Sequence, residues 1–276
     1  MFEDKLIPLD GWVSQAVEWL VDNYRDFFQA VKWPVEQTLS GFDIGLNAIH
    51  PLIVIAVLAV LAYWFSGAAL ALFTAAALTF IGLLGLWADT MTTLAMVLAS
   101  VCFCALAGIP LGIIAGRNDT FDTWLRPVLD AMQTTPAFVY LVPIVMLFSV
   151  GNVAGVLATI IFSMPPLIRL TNLGLRQVHP ELIEAAQAFG ATPWQVLIKV
   201  QIPLAMPTIL AGLNQTIMMA LSMVVIASLI GAGGLGSPVI LGLNTLDIGL
   251  AVIGGISIVL MAMVLDRITQ SMARKK

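Results

Sequence analysis

EAAQAFGATPWQVLIKVQIP, residues 184–203, is the polar interruption in a chain of long apolar runs. A membrane protein exposes such a stretch to water as a loop. Its punctuation predicts two short helices joined by a sharp bend. Pro180 suits the first turn of a helix, where its missing N–H is no loss. The first helix continues from Glu181 to Phe189 and puts Leu182, Ala186 and Phe189 on one face. Gly190 is placed to stop it as a left-handed C-cap. Thr192 caps a second helix, Pro193 opens it, and Gln195 stands three residues after the cap, which makes a capping box. Pro203 is expected to end that second helix. The outcome is a compact, bent surface presented outside the membrane.

Composition sets the surroundings of this loop. Of 276 residues, 60% are hydrophobic and 10% charged, against about 25% charged in a soluble domain. The apolar runs are continuous and not alternating, so helices and not a barrel cross the bilayer. The expected fold is an all-α polytopic membrane protein. The formal net charge is −4, and from Arg176 to Lys199 two basic residues meet two acidic ones. That balance argues against a helix-turn-helix reader of nucleic acid, which needs a basic stripe. Cys102 and Cys104 point to nearly opposite sides of one helix, cannot bridge each other, and are read as packing residues. His50 and His179 are isolated, so no metal site is expected.

Seven spans are predicted at 51–66, 68–87, 92–115, 128–149, 152–171, 205–230 and 248–267, with the first two nearly fused at Ser66-Gly67. Residues 1–49 form a separate segment with eight acidic and three basic residues. They lack a basic n-region before an apolar run, so no cleavable signal peptide is expected. Val13, Val17, Leu20, Tyr24, Phe27 and Val31 form a helical stripe, and Trp12, Trp19 and Trp33 suit the headgroup layer. This amphipathic helix lies either on the membrane or against its own bundle. Residues 50–276 form the membrane domain. Arg117, Arg126, Arg169, Arg176 and Lys199 fall in or beside two connections, and Arg274, Lys275 and Lys276 in the tail. The excess of basic residues places those segments in the cytoplasm, and an odd number of spans then puts the N-terminus outside.

Inside the spans there is almost no charge. Ion-driven carriers usually bury carboxylates or histidines, so the energy for transport is expected from a partner. Asp89 and Asp130 are read as boundary residues. Asn214, Gln215, Thr216 and Ser222 in the sixth span either bond neighbouring helices or line a polar pathway. Pro136, Pro143, Pro165-Pro166 and Pro207 are expected to break or bend their spans. Gly231 to Gly236 match G-x-G-x-x-G, but they follow an apolar helix and not a strand. They are read as a tight turn and not a dinucleotide site.

The stretch 184–203 resembles the EAA loop of ABC-importer permeases, with Glu184, Ala185, Ala186, Gly190, Val200, Ile202 and Pro203 on the pattern. Val200 and Ile202 stand where that family usually has Ile and Leu. Four further segments, GIPLGIIAGR (108–117), DAMQTTPAFVYLVPIVMLF (130–148), 158–192 and LNQTIMMALSMVVIASLIGAGGLG (213–236), are similar to the glycine betaine/proline betaine permeases of the ProW/OpuAB type. The resemblance implies an ABC permease homodimer in a bacterial inner membrane, working with a pair of ATPase subunits and a substrate-binding protein on the outer side. It implies a coupling loop at 172–204 that docks on the ATPase. ATP and Mg would then be bound by that partner, with no cofactor in this chain. The aromatic cage for a quaternary ammonium group would belong to the binding protein. A permease for choline or another compatible solute is the nearest alternative. A stand-alone secondary carrier is disfavoured by the missing buried charge.

The orientation is directly testable. With Cys102 and Cys104 replaced, a cysteine at Ser14 reacts with an impermeant thiol reagent from outside, and one at Ala273 only after permeabilisation. The reverse pattern overturns the topology.

Overall fold

The computed structural model describes residues 9–274, and every regular element among them is helical. Glu3, Asp4, Lys5, Lys275 and Lys276, counted among the charges above, lie outside the described residues. In chain order the helices are α1 (Leu9–Asn23), α2 (Arg25–Ala48), α3 (Pro51–Ser66), α4 (Ala68–Leu83), α5 (Trp87–Arg117), α6 (Asp119–Thr134) and α7 (Leu141–Phe148). They continue as α8 (Asn152–Arg176), α9 (Pro180–Ala188), α10 (Pro193–Val196), α11 (Ile202–Ser228), α12 (Gly236–Thr245) and α13 (Ile248–Arg274).

The core is α5, α8 and α11, and glycine decides how close they come. In a bilayer there is no hydrophobic force between apolar helices, so small residues that admit close van der Waals contact do the joining. Gly108, Gly112 and Gly116 of α5 face Leu167, Thr171 and Leu175 of α8 in turn, so these two helices run parallel. A Cβ on Gly112 would lie 2.5 Å from the Thr171 Cβ and 2.8 Å from the Ile168 carbonyl oxygen. On the other side of α8, Gly174 meets Ala205 and Thr208, while Gly155 meets Ala227, so α11 runs antiparallel. Cys104 is buried in this seam beside Ser163, with their Sγ and Oγ atoms 3.6 Å apart.

At the end of the bundle where α5 and α8 begin, short connections tie the helices together. Gly231 and Gly234 take φ of +74° and +87°, a region open to glycine without steric cost. The turn they make lets the Gly233 N–H donate to the Asn152 Oδ1 at 2.6 Å and the Leu235 N–H to the Thr93 Oγ1 at 2.8 Å. The tight-turn reading of this glycine run agrees with that geometry. Helix α2 packs at the same end. Val35 and Leu39 are buried, Phe28 meets Phe148 edge to face, and Thr92 donates to Asp43 at 2.9 Å.

Three expectations change. First, seven separate spans are not what the chain builds. Four helices are long and apolar enough to cross a membrane, or up to six if each of two bent pairs is one span. Helices α3 and α4 have 16 residues each, about 24 Å of rise, short of a core near 30 Å. They form a hairpin about Gly67, whose φ is +94°. The predicted span 128–149 is broken at Thr135–Pro136, and α6 and α7 meet at 102°. Proline disfavours the helical region for the residue before it, and Thr135 has ψ 126°. Second, Pro165, Pro166 and Pro207 stay inside continuous helices. Third, the stripe from Val13 to Val31, left open between membrane and bundle, packs little on the bundle. Val13, Leu20, Tyr24, Phe27 and Val31 are exposed, and the chain breaks helix at Tyr24. The segment packs through the later turns of α2 instead.

The glycine seam carries a stability prediction. Gly112→Ala forces a Cβ into Thr171 and a backbone oxygen, a clash that costs about 1–3 kcal/mol. Thermal melting in detergent shows a lower transition. Gly255→Ala, whose Cβ would meet nothing within 4 Å, leaves the transition unchanged or higher.

Candidate functional site

The bent segment after α8 is built as its residues demand. Pro180 sits in the first turn of α9, which ends at Ala188. Gly190 has φ +81°. Its N–H bonds the Gln187 carbonyl at 2.9 Å, and the Ala191 N–H bonds the Ala186 carbonyl at 3.0 Å. That pair of bonds is a Schellman motif, which satisfies carbonyls left open at the helix end. Thr192 then starts α10 through a reciprocal capping box. The Gln195 N–H donates to the Thr192 Oγ1 at 3.3 Å, and the Thr192 N–H donates to the Gln195 Oε1 at 2.9 Å.

The far end of the segment differs from expectation. Pro203 does not end the second helix. After Val196 the chain makes a π turn, Leu197–Gln201, and continues directly into α11, giving a continuous run from Pro193 to Ser228. The Ile202 N–H reaches back five residues to the Leu197 carbonyl. A proline clashes with the carbonyl four residues before it. The wider π turn relieves that clash, so Pro203 is carried inside the helix and not at its end.

Exposure sorts the residues of the predicted site. Glu184, Ala185 and Gly190 are exposed and Ala186 is half-buried. Phe189 is 93% exposed, and Trp194 and Leu182 are also exposed. Two bare aromatic rings on a polar loop mark a surface that fits a partner. Val200 and Ile202 are half-buried, and Ile202 packs with Leu167, Leu175 and Leu197. They anchor the segment to the core, while Pro203 is exposed.

The four polar residues of α11 separate into two groups. The Asn214 Nδ2 donates to the Asp266 Oδ1 at 2.9 Å, and the Asn214 Oδ1 accepts from the Thr269 hydroxyl. Asn214 is therefore spent on holding α11 to α13. Thr216 is fully buried, and its hydroxyl finds no partner among the described residues. Neither is free to line an open path. Gln215 and Ser222 are exposed and lie seven residues apart on the outward side of α11. Ser222 donates to the Met218 carbonyl of its own helix at 3.1 Å.

Sequence reasoning missed a polar ladder beneath the bend. The Arg176 Nη1 is 2.6 Å from Asp119, its Nη2 donates to the Ala115 carbonyl at 2.8 Å, and its Nε donates to Asn172 at 2.7 Å. The Asn172 Nδ2 donates to Asp122 at 2.7 Å, Arg126 pairs with the same carboxylate, and Arg169 pairs with Asp130. The one signal available in the sequence was the polar stripe Asp119, Asp122, Arg126 and Asp130 on α6.

The family of binding-protein-dependent transport system inner membrane components matches residues 108–276. This chain belongs to that family. It is the permease component of an ABC transport system and not a catalytic subunit. The permease is 53% identical over 99% of its length to the glycine betaine/proline betaine transport system permease protein ProW of Escherichia coli, covering 77% of that protein. It is 46% identical over 98% of its length to the glycine betaine transport system permease protein OpuAB of Bacillus subtilis, covering 96% of that protein. The glycine betaine/carnitine transport permease protein GbuB of Listeria monocytogenes is 43% identical over 98% of this chain and 96% of that protein. Its fold is similar to a chain of the inward-facing MetNI methionine ABC transporter, with TM-score 0.60 and 23% identity over 66% of this permease and 92% of that chain. An ATPase and a substrate-binding protein are the partners such a component works with, and the inner membrane is its place.

Gly190 generates a graded prediction. A side chain at this φ costs about 1–2 kcal/mol, and a β-branched one strains it further. Gly190→Val leaves the permease in the membrane, weakens ATPase co-purification and abolishes transport. Glu184→Ala lowers transport with less loss of assembly, and Glu181→Ala does little. Substrate-stimulated ATP hydrolysis at equal permease content is the measurement, and normal stimulation in Gly190→Val overturns the role of the bend.

Proposed function

We propose that this permease imports glycine betaine, proline betaine and related quaternary ammonium solutes, as a homodimer embedded in membrane lipid. The observation that carries this reading is the 53% identity to ProW across 99% of the chain. Glycine betaine, proline betaine and carnitine, named for ProW, OpuAB and GbuB, share a fully alkylated, positively charged nitrogen beside a carboxylate. Recognition of that cation is assigned to the binding protein, so the permease needs a path and not a tight site.

In this reading residues 172–204 form the coupling loop, with Glu184, Ala185, Ala186 and Gly190 presenting α9 to the ATPase pair. Val200, Ile202 and Pro203 join that surface to α11. The exposed Phe189 ring and Trp194 supply the apolar contact. ATP and Mg are bound by the ATPase. Its closure carries α9 with it, and the tightly packed α8 and α11 follow as a rigid pair. The path opens outward, receives solute from the binding protein, and resets after hydrolysis. Gln215 and Ser222 line the path, since they alone of the four candidates on α11 are exposed.

The orientation proposed is N-terminus outside and C-terminus in the cytoplasm. Residues 1–49 then form an outer segment, and residues 50–276 the membrane domain. Helix α2 supports this. It packs against the beginning of α5, at the end of the bundle opposite the coupling loop.

Uptake of labelled glycine betaine in a strain lacking its own carriers, with the neighbouring ATPase and binding-protein genes supplied, tests the reading. Import requires ATP and the binding protein, and excess glycine betaine or proline betaine competes. Competition by choline and not by betaine moves the substrate to choline. Uptake without the ATPase overturns the ABC mechanism.

A further inference from the structure

Helix α6 is held to the core by polar contacts where the other core helices are held by apolar ones. Of its 16 residues only Asp122 and Leu129 are buried. Trp124 is 77% exposed and Val128 is exposed. Its link to α8 is a ladder across facing turns: Asp119 with Arg176, Asp122 with Asn172, and Asp130 with Arg169. Asp122 is the rung that cannot be left open. Its side chain is 7% exposed, and a buried carboxylate without donors is strongly destabilising. It accepts from Arg126 through both Nε and Nη2, at 3.1 and 2.5 Å, and from Asn172.

Arg176 is where this ladder meets the coupling loop. It is the last residue of α8, and α9 begins at Pro180. Its guanidinium reaches three helices at once: Asp119 at the start of α6, the Ala115 carbonyl near the end of α5, and Asn172 on α8 itself. The reach to Ala115 depends on the glycine seam. A Cβ on Gly116 would lie 3.1–3.2 Å from Leu175, so the α5 backbone stands close enough to α8 for the fork to span the gap. Only arginine has a planar fork with donors on both sides. A lysine ammonium at this position can satisfy one of the three acceptors well, but not all in this geometry.

We infer that Arg176 is a positioning residue that ties α6 to the base of α9, so that movement of the coupling loop reaches α6. The inference rests on the coupling role proposed for α9. The α8–α11 pair transmits motion through close packing. Helix α6, turned by 102° from α7 at Pro136, has this ladder as its main side-chain link to α8, while α7 packs on the core through Leu141 and Ile144. With Arg176 removed, α9 still docks and ATP is still hydrolysed, but α6 no longer follows.

The test uses the full complex of permease, ATPase and binding protein in proteoliposomes, at equal permease content, with glycine betaine as the probe. Solute imported per ATP hydrolysed is the readout. Arg176→Gln lowers this ratio about tenfold, the scale of one lost charge-assisted hydrogen bond, while ATPase co-purification is retained. Asp119→Asn, at a side chain 89% exposed and so harmless to folding, lowers the same ratio by a smaller factor. The double variant matches Arg176→Gln alone, and Arg176→Lys recovers part of the loss. An unchanged ratio in Arg176→Gln overturns the inference, as do independent, multiplying losses in the pair. Loss of co-purification with an unchanged ratio assigns Arg176 to assembly and overturns it too. If the unaltered complex imports no glycine betaine, the substrate reading fails. The joint is then read from a distance measured within the permease itself. A spin-label distance between Trp124→Cys and Leu182→Cys, within one protomer lacking Cys102 and Cys104, checks the joint without any partner. It is narrow with Arg176 and broad with Arg176→Gln; an equally narrow distribution in both overturns the inference.

Discussion

The structure depends on how closely the backbone of α8 approaches its two neighbours. Lipid tails are as apolar as leucine, so burial in the bilayer does not favour one helix arrangement over another. Contact distance does. Gly112 against Thr171 and Gly174 against Ala205 leave no room for a Cβ of ordinary clearance. Those approaches set the parallel course of α5 and α8 and the antiparallel course of α11. Everything at the two ends of the bundle is placed by that three-helix unit.

At one end the unit terminates in glycine turns and capping contacts from Asn152 and Thr93. At the other it terminates in the bend between α9 and α10. The bend is rigid for local reasons: a Schellman motif and a capping box follow one another across Phe189 to Gln195. A rigid bend whose outer face carries Phe189 and Trp194 can pass force to the helices on either side. The π turn at Leu197–Gln201 makes the exit to α11 continuous, so the loop and the spanning helix form one helical run. Had Pro203 ended the helix, the exit would have been a hinge.

The polar groups of this permease are placed with the same economy. Asn214, Asp266 and Thr269 hold α11 to α13, and Asp119, Asp122, Asn172 and Arg176 hold α6 to α8. In both clusters the polar atoms face each other across helices, and the buried ones, such as Asp122, would cost several kcal/mol if left unsatisfied. What remains exposed on α11, Gln215 and Ser222, is correspondingly distinctive. A polar side chain on an outward face is unfavourable against lipid and favourable against a hydrated path or a second protomer.

The sequence by itself determined whatever depends on neighbours within a few residues. Pro180, Gly190 and the Thr192–Gln195 pair act through backbone bonds no longer than one turn, so the bend was legible before any contact was known. So was the all-helical membrane fold, because hydropathy and the need to satisfy every backbone group leave no alternative. Tertiary structure decided the rest. The break at Thr135–Pro136 and the intact helix through Pro165 and Pro166 involve the same residue type. Surroundings and not propensity chose between them. Asn214 could be read as a path lining or as a tie until Asp266, 52 residues away, was seen beside it. Arg176 and Asp119 are 57 residues apart, and Arg176 was legible only as a basic residue of a connection. Their meeting depends on Gly112 and Gly116 bringing two backbones together, and no pattern along the chain records that distance.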